Sequence, residues 1–195
     1  MTGRDAREEK DELRRRVLSA RDRLSDGERE RLSAAVCTRA AGLPELASAK
    51  TIMLFASFGS EIDTMPLLRW ALARGTQVCL PRILGKRRME AFLVSDPSVD
   101  LEPGKWDIPE PRDGLPQVAP ERIDVVVVPG ALFDEDGCRC GYGGGFYDNY
   151  LPATRVDTPR VSLALELQLV EDVPCEPHDL GVDVIVTEER VIRPG

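Results

Sequence analysis

The residues best suited to chemistry lie in one glycine-rich segment, PGALFDEDGCRCGYGGGFYDNYL at positions 129–151. Successive glycines let main-chain N–H groups point the same way and approach a phosphate without a Cβ clash. Arg139 and Asp148 flank the glycines: arginine can pair bidentately with phosphate, and aspartate can hold a magnesium ion that bridges phosphates. The segment is not a P-loop, because no Gly-Lys-Ser/Thr follows, and it is not a dinucleotide fingerprint near the first strand. From the glycines alone, a structural turn and a phosphate-binding turn both stay open.

The elements on either side of this segment place it at a ligand edge. Residues 123–128 are a β-branched run apart from Asp124, which is typical of a strand buried on both faces. Residues 146–151 can form a helix, and a helix start adds partial positive charge. In open α/β sheets, ligands bind outside the carboxyl ends of the strands. We therefore expect the glycines to face a ligand.

The remaining pattern predicts one α/β domain over residues 1–195. A charged helix is expected over 4–24, and the capping-box spacing of Ser25 and Glu28 starts a second helix that runs to about Ala41. Strand, helix and strand at 51–57, from Pro66 to before Gly75, and 77–81 form a βαβ unit, so the sheet is at least partly parallel. Further strands are predicted at 89–94, 160–165 and 184–187, with a long surface loop over 95–121. The fold class is a three-layer α-β-α sandwich with a largely parallel, mixed, Rossmann-like sheet.

Composition limits the kinds of partner. The 195 residues carry a formal net charge of −8, which disfavours nucleic acid and anionic membranes because both require clustered Lys and Arg. Small anionic ligands stay possible. No apolar run approaches the roughly 20 residues that span a bilayer, and the charged N-terminus lacks a signal-peptide core. We expect a cytoplasmic monomer.

The cysteines and the single histidine exclude some metal and triad chemistry. Five scattered cysteines, an odd number, suit reduced thiols. Cys138 and Cys140 form a Cys-x-Cys, but a zinc site needs two more ligands at suitable spacing, and none is evident. His178 is the only histidine, so a His-based metal cluster is impossible. A surface position near Asp179 and a general-base role both stay open for it.

Several ordered motifs resemble the 5-formyltetrahydrofolate cyclo-ligase family over nearly the whole chain. Residues 137–148 resemble its nucleotide signature, Gly-x-Arg-x-Gly-x-Gly-x-Gly-aromatic-Tyr-Asp, although Cys140 stands where the family usually has an aliphatic residue. The other matching segments are KDELR (10–14), SFGSEIDT (57–64), PR (81–82), WDIPEP (106–111) and VD (182–183). An ordered series of motifs is far more specific than any one of them.

The resemblance implies a site for ATP, a folate and Mg²⁺. Implied ATP contacts are Lys10, Arg14, Arg82, Arg139, Cys140, Gly141, Tyr142, Gly143, Gly144, Gly145, Phe146 and Tyr147, of which Lys10, Arg14 and Arg139 are also implied to be catalytic. Implied folate contacts are Phe58, Glu61, Asp63, Trp106, Tyr142, Gly143, Gly144, Gly145, Phe146 and Tyr147. Implied metal ligands are Asp148 and Asp183.

Taken from the residues alone, several of these positions have plainer interpretations. Lys10 and Arg14 share a helix face that can simply be solvated, and Arg82 can be an ordinary surface charge. Asp63 or Thr64 can cap the helix that Pro66 opens. Trp106 can be an apolar anchor of the long loop.

The implied reaction converts 5-formyltetrahydrofolate and ATP to 5,10-methenyltetrahydrofolate, ADP and phosphate. Two alternatives stay open: a related ATP-dependent enzyme with another small substrate, and a nonenzymatic folate- or nucleotide-binding protein. The related enzyme would turn over ATP with a substrate other than 5-formyltetrahydrofolate. The second predicts ligand binding without release of ADP.

Overall fold

A computed structural model describes residues 3–175 and 179–195, with side chains from residue 8 onward. Within those residues the helices are α1 (Gly3–Asp22), α2 (Asp26–Ala41), α3 (Pro44–Ser48), α4 (Met65–Ala73), α5 (Pro97–Asp100) and α6 (Phe146–Tyr150). The strands are β1 (Thr51–Met53), β2 (Gln77–Gly85), β3 (Arg88–Val94), β4 (Leu101–Pro103), β5 (Pro109–Pro111), β6 (Gln117–Val118), β7 (Val125–Val127), β8 (Leu132–Phe133), β9 (Arg139–Cys140), β10 (Arg160–Leu163), β11 (Val184–Val186) and β12 (Val191–Ile192).

One sheet organises the described residues, with strand order β12-β11-β10-β7-β1-β2-β3-β6. The five strands from β11 to β2 run parallel. The outer strands β12, β3 and β6 are antiparallel to their neighbours. Two small antiparallel ribbons, β4-β5 and β8-β9, form separate two-stranded sheets. The predicted largely parallel, mixed sheet is confirmed.

Helices cover both faces of this sheet. Successive side chains of a strand point to opposite faces, so a strand made only of apolar residues packs against helices on both sides. Val125 and Val127 belong to a core cluster that contains residues of α2, α3 and α4. Val126, between them, belongs to a second cluster with Tyr150 and Leu151 of the α6 region. All three valines are fully buried. The predicted α-β-α layering is therefore confirmed, as is the prediction that this strand is buried on both faces.

The first two helices follow the sequence pattern closely. The predicted capping box at the start of α2 is present: Ser25 Oγ accepts from the Glu28 amide, and Glu28 Oε2 accepts from the Ser25 amide at 3.1 Å. On α1, Val17 is buried against Leu132 and Cys140 of the β8-β9 ribbon. This contact packs α1 against the β8-β9 ribbon, which directly precedes the glycine-rich residues in the chain. Within the described residues, no helix is both long and apolar enough to cross a bilayer.

The predicted long loop over 95–121 is wrong. The segment contains α5, the β4-β5 ribbon, and β6 at the edge of the main sheet. Pro103, Pro109 and Pro111 fit in the ribbon because a two-stranded ribbon has open edges at which a missing N–H costs little. Strand β2 also runs to Gly85, four residues beyond its predicted end.

Candidate active site

The glycine turn, defined as residues 141–145, has a backbone that requires glycine. Gly143 and Gly145 have φ of 86° and 64°, in the left-handed region that other residues rarely adopt. At Gly144, an added Cβ would lie 2.7 Å from the Phe146 ring. The turn follows β9 and precedes α6, so it is held between the β8-β9 ribbon and the sheet.

A charged pair lies beneath the glycine turn. Arg139 is buried, with Nη2 donating to Asp148 Oδ1 at 2.6 Å and Nη1 donating to the Pro129 carbonyl at 3.2 Å. Because Pro129 follows β7, the pair lies at the carboxyl edge of the parallel strands. Arg139 Nε is buried and has no hydrogen-bond partner within the described residues. Arg139 and Asp148, which flank the glycines in the sequence, thus lie together at this edge.

Helix α1 brings a second arginine to the glycine turn. Arg14 Nε donates to the Gly141 carbonyl at 2.8 Å, and its Nη2 lies 3.1 Å from Cys140 Sγ. Lys10, one helical turn earlier, forms an ion pair with Asp179. The structure therefore places Arg14 in contact with the glycine turn. It places Lys10 beside Asp179, one helical turn away from Arg14.

Two aromatic contacts join the turn to residues predicted to bind folate. Phe58 and Tyr142 have ring centroids 5.3 Å apart, and Trp106 and Phe146 have centroids 6.4 Å apart in an edge-to-face arrangement. Tyr142 precedes the three consecutive glycines and Phe146 follows them. Trp106 is 64% exposed, so its ring is available to a ligand rather than committed to the core.

Glu61 is buried beside this aromatic pair. Its Oε2 accepts from the Phe58 amide at 3.1 Å, and the Tyr142 hydroxyl and the Arg21 guanidinium lie near its carboxyl. Burial raises the pKa of the Glu61 carboxyl, while the nearby Tyr142 hydroxyl, the Phe58 amide and the charge of Arg21 oppose that rise. Glu61 is thus an ordered acceptor at the rim of the turn.

Asp63 has the capping role that the sequence left open. Its Oδ1 accepts from the Met65 amide at 2.9 Å, whereas the Thr64 hydroxyl donates to the Phe55 carbonyl. Asp63 also lines a cavity of about 390 Å³ between the carboxyl end of β1 and the 97–109 segment. Asp107, next to Trp106, lines the same cavity. The Asp63 side chain can cap the helix and face the cavity at the same time. Its contact with folate stays a prediction.

Arg82 lies inside β2, because this strand continues beyond the end predicted at residue 81. It forms ion pairs with Asp113 at 2.6 Å and Glu102 at 3.8 Å, both in the proline-rich segment. Within the part of the chain that the structure describes, its ion pairs join it to that segment and not to the glycine turn.

The structure does not bring Asp183 to Asp148. Asp183 precedes β11, and its Oδ2 accepts from the Arg160 amide at the start of β10, at 2.7 Å. The strand register places Arg160 level with Val126, three residues and about 10 Å before Pro129. A residue before a parallel strand lies at the amino edge, opposite the carboxyl edge. The prediction that these two aspartates share one metal ion is therefore corrected.

Two of the cysteines are joined, so the expectation of reduced thiols is wrong for them. Cys138 and Cys175 form a disulfide with Cα atoms 6.2 Å apart, within the usual range. It ties the turn before Arg139 to the segment before residue 176. Cys140 is free and buried. The two possibilities for His178 concern a residue outside the described ranges.

Reduction of this disulfide is expected to lower the free energy of unfolding by about 2–4 kcal/mol, because the closed loop restricts the unfolded chain. Urea unfolding with and without dithiothreitol measures the difference, and Cys175→Ser should abolish it. Equal midpoints in both conditions, together with five titratable thiols in the unreduced denatured protein, would contradict the assignment.

Two arginines near the glycine turn are missing from the sequence predictions. Arg21 of α1 is buried, with its Nη1 donating to the Tyr142 hydroxyl at 2.9 Å. Arg87, in the β2-β3 turn, has its Nε 3.6 Å from the position of a Cβ added at Gly145. Its carbonyl accepts from Asn149 Nδ2 at 3.1 Å. Each lies among other charged residues in the sequence, so no pattern distinguishes it.

Fold and site together define an α/β enzyme class whose ligand site lies at the carboxyl edge of a parallel sheet, with a glycine turn over an Arg–Asp pair. The model of the 5-formyltetrahydrofolate cyclo-ligase family matches residues 6–188. An Escherichia coli protein named 5-formyltetrahydrofolate cyclo-ligase is 33% identical, covering 90% of this chain and 98% of its own. A Schizosaccharomyces pombe protein named probable 5-formyltetrahydrofolate cyclo-ligase is 29% identical, covering 94% and 97%.

A solved structure agrees with these relatives. The NMR structure of Aquifex aeolicus 5,10-methenyltetrahydrofolate synthetase superposes with a TM-score of 0.84 at 36% identity, covering 94% of this chain and 92% of that one. The chain belongs to the 5-formyltetrahydrofolate cyclo-ligase family.

Proposed function

We propose that this chain uses ATP to convert 5-formyltetrahydrofolate to 5,10-methenyltetrahydrofolate, with release of ADP and phosphate. Family membership supports the reaction. The observation that carries the proposal in this structure is the position of Tyr142. It lies in the glycine turn, and its ring centroid is 5.3 Å from that of Phe58, with the two rings tilted by 57°, so the turn and the segment after β1 meet at one place.

The reaction explains why such a site needs no enzyme nucleophile. The formyl oxygen attacks the γ-phosphorus of ATP, forming an O–P bond as the bond to ADP breaks. N10 of the folate then attacks the activated carbon, and the former formyl oxygen leaves with phosphate. Phosphoryl transfer requires mainly positioning and neutralisation of charge.

The cations around the turn are proposed to bind the phosphates. Arg139 and Arg14 reach the turn directly, and Lys10 lies one helical turn from Arg14. The Nε of Arg139, buried and without a hydrogen-bond partner among the described residues, supports a role for that side chain, because a buried donor costs free energy until a ligand satisfies it. The main-chain N–H groups of the glycine turn would complete the phosphate site.

Asp148 is the residue proposed to hold Mg²⁺. Its side chain is 29% exposed, so one carboxylate faces the space beside the turn. Within the described residues, no cluster of three metal-binding side chains exists, which fits Mg²⁺ because this ion usually takes one or two carboxylates plus phosphates and water. When bound, Mg²⁺ would neutralise phosphate charge. Asp183 is not part of this proposal.

The folate is proposed to bind between the two aromatic pairs. Phe58 and Trp106 would supply flat apolar surface, while Glu61 and Asp63 would accept hydrogen bonds from the pterin. Tyr147 contributes a buried hydroxyl without a partner among the described residues. Burial raises the pKa of that hydroxyl, so it stays protonated as a donor.

The direct test is absorbance of the methenyl product with purified protein, 5-formyltetrahydrofolate, ATP and Mg²⁺. Product formation with stoichiometric ADP is the expected result. ADP release only with another small substrate would favour the related-enzyme alternative, and ligand binding without ADP would favour the binding protein.

Arg87→Ala is expected to raise KM for ATP roughly tenfold with little change in kcat, because the guanidinium beside Gly145 would contribute one charge-assisted contact to phosphate. Arg88→Ala is the matched control, since Arg88 is exposed and lies 3.4 Å from Glu90. Equal KM values for the two variants would remove Arg87 from the proposed site.

A cytoplasmic location and a monomeric state stay predictions that belong to this proposal. Size-exclusion chromatography with light scattering measures the second. A mass near 21.6 kDa is expected, and twice that mass would contradict it.

A further inference from the structure

Arg21, in the last turn of α1, connects two parts of the proposed site. The residue is 3% exposed. Its Nε donates to Ser60 Oγ at 3.0 Å, and its Nη1 donates to the Tyr142 hydroxyl at 2.9 Å. Ser60 belongs to the segment between β1 and α4, and Tyr142 belongs to the glycine turn. One buried guanidinium therefore spans the nucleotide side and the folate side.

The contacts continue beyond these two residues on the folate side. The Tyr142 ring contacts the Phe58 ring, and the Phe58 amide donates to Glu61 Oε2 at 3.1 Å. The guanidinium carbon also lies 5.9 Å from the centre of the Tyr142 ring. Arg21 thereby fixes both the hydroxyl and the ring that forms the aromatic pair with Phe58.

Arginine makes this connection rigid. Its guanidinium is planar and presents donors in a fixed fork, so the directions to Ser60 and Tyr142 cannot change independently. A buried cation that loses a partner is costly. A displacement of Tyr142 when the turn receives a ligand must then be accompanied by adjustment at Ser60 and Glu61.

We propose that Arg21 is a positioning residue that couples nucleotide binding at the glycine turn to folate binding at the 58–61 segment. The inference rests on the proposed function for the identity of the two ligands. Because Arg21 joins Tyr142 to the 58–61 segment, the shift that the first ligand imposes on one side is transmitted to the other, so the second ligand has less rearrangement left to make. Each ligand should therefore tighten the binding of the other, by the same factor.

The measurement is the dissociation constant of 5-formyltetrahydrofolate with and without a non-hydrolysable ATP analogue and Mg²⁺, by titration calorimetry. Wild type is expected to show roughly tenfold tighter binding with the analogue, within the usual range of coupling between sites. Arg21→Lys keeps the charge but loses the fixed fork of the guanidinium, and it is expected to reduce the factor to about one. Arg23→Lys is the matched control, because Arg23 is exposed near the same helix end and contacts Ser19.

A second variant separates coupling from folding. Tyr142→Phe keeps the ring against Phe58 but removes the hydroxyl that accepts from Arg21, and it is expected to abolish the coupling as well. The double variant should resemble either single one, because both changes break the same connection. A purely structural role for Arg21 would lower the melting temperature and weaken both ligands while leaving the coupling factor intact.

The outcomes distinguish the inference from the function on which it rests. A wild-type protein that binds neither ligand overturns both. A wild type that turns over both substrates but shows no coupling, or whose coupling persists in Arg21→Lys and Tyr142→Phe, overturns the inference alone. If Arg21→Lys does not fold, Tyr142→Phe decides.

Discussion

Arg139→Gln is expected to lower kcat/KM by roughly a thousandfold, as for other arginines that neutralise a transferring phosphoryl group. The side chain is 6% exposed and lies directly beneath the glycine turn. Glutamine removes the charge and leaves Asp148 without the partner that lies 2.6 Å away in wild type. Steady-state kinetics in ATP and in 5-formyltetrahydrofolate measure the loss, with circular dichroism to verify the fold.

The amino edge of the sheet offers a matched control for this variant. Arg160 lies at the start of β10 with its Nε 3.5 Å from Asp183, so it is also an arginine paired with an aspartate. Arg160→Gln should leave kcat/KM within about threefold of wild type, because that edge lies away from the turn. A folded Arg139→Gln protein with near-wild-type kinetics would exclude Arg139 from the chemistry.

Asp148→Asn is expected to lower kcat by roughly a hundredfold and to raise the Mg²⁺ concentration needed for half-maximal activity. Asparagine keeps the shape of the side chain but cannot supply a carboxylate to a hard cation, and it forms only a weaker hydrogen bond to Arg139. Activity across a Mg²⁺ titration measures both effects. Binding of Mg²⁺–nucleotide to the variant, followed by calorimetry, measures the loss without turnover.

Asp183→Asn is the control that tests the corrected metal site. Its carboxylate accepts from the Arg160 amide at the amino edge, so a small loss of stability and near-wild-type kinetics are expected. If Asp183→Asn reproduced the Mg²⁺ dependence of Asp148→Asn, the placement of these two residues at opposite edges would be wrong.

The sequence predicted the parts of the molecule that depend on local pattern. The run at 123–128 identified β7 because β-branched residues buried on both faces leave little alternative to a central strand. Arg139 and Asp148 were both singled out as site candidates because they belong to one contiguous segment around the glycines. The capping box at Ser25 was predicted because it involves residues only three apart.

The errors concern relations between distant segments. Asp183 was paired with Asp148 because the family resemblance implied it, but proximity requires the same edge of the sheet, and Asp183 precedes its strand. The disulfide joins residues 37 apart in sequence, a distance at which spacing carries no information on pairing. The segment 95–121 was assigned to a loop because proline marks breaks in regular structure without indicating which short strands lie between them.

Arg21 shows a third limit of prediction from the sequence, which concerns the direction in which a charged side chain points. It is one of several arginines on a charged helix, and helical spacing alone does not reveal that its side chain turns inward to Ser60 and Tyr142. Arg87 likewise stands in a run of three basic residues. Their surroundings become visible only when the glycine turn is folded against α1 and the β2-β3 turn.

The most direct measurement is a crystal structure of the protein with a non-hydrolysable ATP analogue and Mg²⁺. The account predicts the triphosphate against the main-chain N–H groups of residues 141–145, with Arg139 in contact with a phosphate oxygen and Asp148 beside the metal. A triphosphate bound elsewhere, for example in the amino-edge cavity lined by Asp136 and Asp183, with the glycine turn empty, would contradict it.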